Sequence, residues 1–84
     1  ETPRFMVELA IEAESPFIGR RAVEIKEFNE ADSRLVDVVR GDASLRREMA
    51  AVVLAEGDIV VLRSPMKEIL GFKQQADVQT PDGG

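Results

Sequence analysis

The sequence predicts a small mixed domain of strands and helices, and three observations carry that prediction. Residues Phe5 to Glu12 alternate in polarity, two β-branched runs end at Arg40 and Arg63, and the apolar positions after Gly19 fall at helical spacing. With 84 residues the chain has room for one core. Area scaling gives about 13,500 Å² exposed in the unfolded chain and about 5,000 Å² in the folded one, so burial reaches only ~63%. A core this thin is marginal, and a partner subunit would support it.

The first strand places Phe5, Val7, Leu9 and Ile11 on one face and Met6, Glu8, Ala10 and Glu12 on the other. Ser15-Pro16 ends it, because proline has no amide hydrogen for a ladder. Beyond Gly19, Ile18, Ala22, Ile25 and Phe28 predict a helix of about two to three turns. Asn29 to Ser33 is a polar break, and Leu35 to Arg40 reads as a deeply placed strand stopped by Gly41-Asp42. From Leu45 to Leu54 the local pattern reads as helix, since Leu45, Met49, Val52 and Val53 match an i, i+4, i+7, i+8 stripe. A turn at Leu54 to Asp58 feeds Ile59 to Arg63, whose continuous apolar run predicts a strand buried on both faces. Ser64 as N-cap and Pro65 at the first helical position open a last helix with Met66, Ile69 and Leu70 on its stripe and Gly71 at its end. The folded domain is therefore expected over residues 4–73, with 74–84 a flexible tail or linker.

Sixteen acidic against eleven basic residues give a net charge of −5, which repels a phosphate backbone and argues against nucleic acid as a partner. The chain has no cysteine and no histidine. Disulfides, thiolate or imidazole metal sites and the usual Ser/His or Cys/His nucleophile pairs are thereby excluded. Charge makes up 32% of the residues and interrupts every apolar stretch, so none is long enough to span a membrane. No secretory leader opens the chain, and a start at Glu1 with an end at Asp82-Gly83-Gly84 is expected of a piece of a longer protein.

The glycines at 19, 41, 57, 71, 83 and 84 never gather into a phosphate-cradling loop, and no cofactor or metal is indicated. Asp32 with Asp37, or Glu56 with Asp58, offers an acid/base pair or a hard-cation site on paper. Carboxylates on strand edges and beside a turn glycine more commonly serve solubility and turn hydrogen bonding, and we read both pairs that way. Arg40, Arg46 and Arg47 form a small basic group suited to a phosphate or carboxylate, or simply to pairing with Glu48. Met6, Met49 and Met66 read as gap-fillers of a core or interface, and the four phenylalanines do not make a base-stacking surface. An enzyme built on carboxylates alone is the weakest reading, and the chain is expected not to be one.

The ordered landmarks Ser15-Pro16-Phe17-Ile18-Gly19, Leu35-Val36-Asp37-Val38-Val39-Arg40 with Gly41-Asp42, and Leu54-Ala55-Glu56-Gly57-Asp58 before Ile59 to Leu62, together with the strand Val7 to Ile11, span roughly residues 6–70. In that order they resemble the TrkA-C, or RCK-C, domain, the C-terminal regulatory domain of potassium-transport proteins. The resemblance implies an α+β domain of β-α-β-β-β-α order, with a mainly antiparallel sheet, helices packed on it and a homodimeric state. It also implies a short strand near Ala43 to Arg47 and little helix around Met49 to Val52, against the local pattern there.

Such domains sit on the cytoplasmic side of the inner membrane, attached to the transmembrane portion of channels, potassium-uptake systems, antiporters or divalent-anion symporter-type permeases. The function implied is non-catalytic regulation by sensing a small anionic or nucleotide ligand, or dimerisation alone without a ligand. Some members hold a cyclic dinucleotide at the dimer interface, through the loop after the first helix and an Ile-Pro pair later in the chain. Here the loop is Asn29-Glu30-Ala31-Asp32-Ser33-Arg34, and Met49-Ala50 stands where Ile-Pro would be. Asn29, Arg34 and Met49 are the ligand-binding residues this resemblance suggests.

Overall fold

The computed structural model describes residues 4–30 and 32–65. Its framework is a four-stranded antiparallel sheet in the order β1-β4-β2-β3. The strands are β1 (Phe5–Ala10), β2 (Arg34–Arg40), β3 (Ala43–Ser44) and β4 (Ile59–Ser64). β1 runs against β4 from Phe5 opposite Ser64 to Ala10 opposite Ile59. On its other side β4 meets β2, with Arg34 opposite Arg63, Leu35 opposite Leu62, then a one-residue slip at Val36 before Asp37 opposite Val61 and Val39 opposite Ile59. Beyond β2 the hairpin to β3 turns through Gly41, whose φ of 66° is costly for any residue with a Cβ.

The two-residue period decides which side chains enter the core. Leu9 from β1, Val60 and Leu62 from β4, and Val38 from β2 are buried on one face, joined by Ile11 just past β1. On the opposite face Val39, Ile59 and Val61 are half-buried, so β4 is fully buried on one face only and not on both as its apolar run predicts. A long apolar strand is expected wherever a strand is central, and β4 is central here because it has a neighbour on each side.

The segment after Gly19 differs most from expectation. In place of a helix of two to three turns the chain makes two single 3-10 turns, Ala22–Glu24 and Lys26–Phe28, separated by Ile25 at φ −84° and ψ 106°. The reason lies in its hydrogen bonds: Ala22 N donates to Val52 O, Leu54 N donates to Arg20 O, and Arg21 bridges antiparallel to Val53. Backbone groups that pair with a distant segment cannot also close an i to i−4 ladder. Ala22 in the first turn, Ile25 at the break and Phe28 in the second are all fully buried.

The middle of the chain follows neither reading whole. β3 covers Ala43–Ser44 only, and Arg46–Ala51 is 3-10, broken at Glu48 where φ is −114° and ψ 29°, so the local helix reading over 45–54 is corrected. Among the described residues there is no α-helix. The last helix and the tail lie outside the described residues beyond Pro65. Ser64, expected to cap that helix, is the final residue of β4, and its buried hydroxyl is hydrogen-bonded to Ser33 Oγ at 3.0 Å and to the Pro65 carbonyl at 3.3 Å.

The 3-10 turns and the loop around Phe17 close over the inner face of the sheet. Phe17 and Phe28 meet edge to face with ring centroids 4.9 Å apart and an interplanar angle of 61°. Ser15 Oγ, itself buried, accepts the Phe17 amide hydrogen and holds that loop in place. Truncating Phe17 to alanine removes a fully buried ring, which costs about 3–5 kcal/mol in cores of this kind. A domain of this length has a total stability of roughly 4–12 kcal/mol. Urea denaturation of Phe17→Ala is therefore expected to show a large loss of stability, while Val23→Ala at an exposed site is expected to change the midpoint little.

Candidate functional site

Among the described residues one charged side chain, Asp58, is sealed inside the protein. Asp58 follows Gly57, which holds a φ of 92° in the turn before β4, and its side chain is only 2% exposed. An unpaired carboxylate in that position would be prohibitively costly, so its oxygens must be satisfied by the chain itself. Arg40, at the end of β2, does this with a two-pronged grip: Nε donates to Oδ1 at 2.9 Å and Nη2 donates to Oδ2 at 2.8 Å. Oδ2 also accepts the Ala55 amide hydrogen at 2.9 Å, and Arg40 Nη2 reaches on to the Val53 carbonyl at 2.9 Å.

The same turn is stitched to β1. Ile11 N donates to Asp58 O and Gly57 N donates to Ile11 O, both at 2.8 Å. Two residues on one strand thus face one on the other, the pattern of a β-bulge. Gly19 N donates to Leu54 O at 2.9 Å, so the loop after Pro16 is joined to the same segment. The three landmarks of the sequence, the Ser15-to-Gly19 loop, Arg40-Gly41 and Leu54-to-Asp58, converge on one knot.

The electrostatics follow from that geometry. The hydrogen bonds from Arg40 hold the Asp58 carboxyl below the usual carboxylate range, with the Ala55 amide adding to the effect and burial opposing it. Arg40 is raised in turn, mainly by its hydrogen bonds to Asp58. Asp58 is therefore an anion at neutral pH with both oxygens hydrogen-bonded. It has no proton to give, which argues against use as a general acid. Among the described residues no group of three or more acidic side chains is placed to hold a metal ion.

Beside the clamp runs an open groove of about 440 Å³, lined by Arg40, Leu45, Glu48, Ala51, Val52 and Val53. It brings one guanidinium, one carboxylate and several aliphatic groups together, without a nucleophile. Sequence alone does not mark this groove. Arg40 belongs to a basic group in the sequence, yet its neighbours Arg46 and Arg47 do not join it on Asp58, and the signal the sequence carries is the acidic residue after the turn glycine.

The residues suggested by resemblance lie elsewhere. Asn29 Oδ1 accepts the Leu35 amide hydrogen at 3.3 Å, which ties the end of the second 3-10 turn to the start of β2. Arg34 is exposed at that same start, opposite Arg63 of β4. Met49 sits in the third 3-10 segment, half-buried against the core, and no hydrogen bond or ion pair joins it to the other two. The paired acids of the sequence also separate: Asp37 accepts the Ser44 hydroxyl and the Val38 amide, and Asp32 sits 3.7 Å from Arg4 at the surface. The chain matches no protein-family model, no curated protein and no solved structure.

Arg40→Ala leaves the Asp58 carboxylate in its sealed site with one amide donor. The expected loss is about 2–4 kcal/mol, below that of a fully buried pair because water reaches half of the Arg40 side chain. Because the folded-state affinity of Asp58 for a proton is depressed, its contribution is complete above the unfolded value of about pH 4 and is lost as pH falls through the folded value. Urea titrations across the acid range are expected to show a shallower decline for Asp58→Asn than for the parent chain. An unchanged acid limb in that variant would show that Asp58 is not the group responsible.

Proposed function

We propose that this chain is a non-catalytic regulatory module of a bacterial ion transporter, a ligand-sensing and dimerising domain of the TrkA-C kind on the cytoplasmic side of the membrane. The observation that supports it most is the convergence of the landmarks: the residues that carry the resemblance are those that meet at the Arg40–Asp58 clamp. A sequence pattern that coincides with the folding knot of the domain is a pattern with a structural cause. Further support comes from the chemistry of the clamp, since the buried Asp58 carboxylate is held as an anion by Arg40. Among the described residues no helix is long and apolar enough to cross a membrane. The finer β-α-β-β-β-α order belongs to this proposal as well, with the two 3-10 turns standing where its first helix would be.

A module of this kind works without catalysis. A ligand that binds one arrangement of the dimer more tightly than another shifts their populations by its differential affinity, and the attached transporter reads the change. Asn29, Arg34 and Met49, from two copies, are the side chains this reading places on the ligand. A second reading, a structural dimerisation module of a divalent-anion symporter-type permease without a ligand, draws support from Asn29, whose side-chain oxygen is already engaged with the Leu35 amide.

Isothermal titration of the chain with adenine nucleotides, cyclic dinucleotides and simple inorganic anions separates the two. Saturable heat from one class, reduced at least tenfold in affinity by Arg34→Ala, is the outcome expected of the sensor. Absence of heat from all three classes, with a dimer in sedimentation equilibrium, leaves the structural module. A monomer without ligand overturns both.

A further inference from the structure

Among the described residues the sheet has one open edge. β3, at one side, is only two residues long, and the remainder of β2 behind it is covered: Leu45 N donates to Val38 O and Arg46 Nε donates to Val36 O. β1, at the other side, is six residues long, without proline or lysine, and no described residue pairs with its outer side. Phe5 and Met6 on it are 41% and 58% exposed. Natural sheets usually blunt such an edge with prolines, bulges or inward charges, because its unpaired peptide groups are a template for another strand.

Which peptide groups are free follows from the ladder. Ile11 N donates to Asp58 O at 2.8 Å, one step beyond Ala10 opposite Ile59, so the alternate residues Leu9, Val7 and Phe5 turn their amides toward β4. Met6, Glu8 and Ala10 therefore present theirs to the open side. We propose that the β1 edge pairs antiparallel with the β1 edge of a second copy, joining two four-stranded sheets into one of eight strands about a two-fold axis beside Val7. This rests on the dimeric part of the reading above and names the surface that it uses.

The register is constrained by the faces. Core-facing residues must stay on the core side, so odd positions pair with odd and even with even. Centring the axis on Glu8 would set two carboxylates opposite each other, which is destabilising. Centring it on Val7 sets Glu8 beside the partner's Met6, and Phe5 beside the partner's Leu9. The outward peptide groups of Met6 and Glu8 then bond to those of the partner's Glu8 and Met6. Because the other edge is blunt, the pairing closes at two copies and does not propagate into a filament.

Sedimentation equilibrium over micromolar to hundreds of micromolar is expected to show the full chain at twice its 9.3 kDa mass, and Glu8→Pro as a monomer with an unchanged circular dichroism spectrum. Proline there removes an outward amide and leaves the β4 ladder intact. A second variant guards against misfolding. The chain has no cysteine, so Val7→Cys is expected to give a disulfide-linked dimer on mild oxidation, its Cα atoms about 4.5 Å apart across the axis, whereas Ala43→Cys on the β3 edge is not. A wild-type dimer that survives Glu8→Pro and gives no Val7→Cys crosslink overturns the edge pairing and leaves dimerisation through another surface standing. A wild-type monomer throughout overturns both.

Discussion

A carboxylate removed from water must be answered by donors at hydrogen-bonding distance, and the fold is arranged around that requirement at Asp58. The two prongs of Arg40 and the Ala55 amide occupy its oxygens, while its own backbone continues the ladder to β1 through Ile11. β1, the end of β2 and the turn before β4 are thereby fixed relative to one another at a single point. The bulge of Gly57 and Asp58 against Ile11 re-aims the chain so that this is geometrically possible. Charge burial of this sort adds little net stability compared with an apolar substitute, but it disfavours alternative arrangements, each of which would leave the anion bare.

The second constraint is the shortage of apolar material. A single sheet with one fully buried face must be covered, and the covering here is made from irregular chain and single 3-10 turns. Such a cover works because its peptide groups borrow partners from the 52–54 segment, where Val52 O and Leu54 N stand in for the missing helical ladder. Two phenylalanine rings and the aliphatic groups of Ala22 and Ile25 then fill the space over Leu9, Val60 and Leu62. The sheet's far face receives no comparable cover from the described residues, which is why Ile59 and Val61 are only half-buried.

These two features bear on function in the same direction. The buried anion is committed to structure, and the described surface leaves an open groove with mixed polarity, an exposed arginine at the start of β2, and a strand edge that no described residue pairs. Surfaces of this kind are what the proposed regulatory role would draw on.

The strands were legible because side-chain alternation and β-branched runs report burial directly, and burial on a strand is a local property. Phe5 to Ala10, Leu35 to Arg40 and Ile59 to Arg63 could be read one after another, and Gly41 and Gly57 marked the turns because only a residue without a Cβ takes a positive φ cheaply. Composition by itself also removed thiol and imidazole chemistry. Tertiary structure alone decided which partner each polar group takes. Arg40 chooses Asp58 eighteen residues away, Ser33 chooses Ser64 thirty-one away, and residues 20–22 bond to 52–54, leaving only single 3-10 turns after them. Spacing along a chain encodes which side chains are hidden together, but a hydrogen bond is won by whichever donor folding brings within about 3 Å, and that depends on every other contact in the molecule.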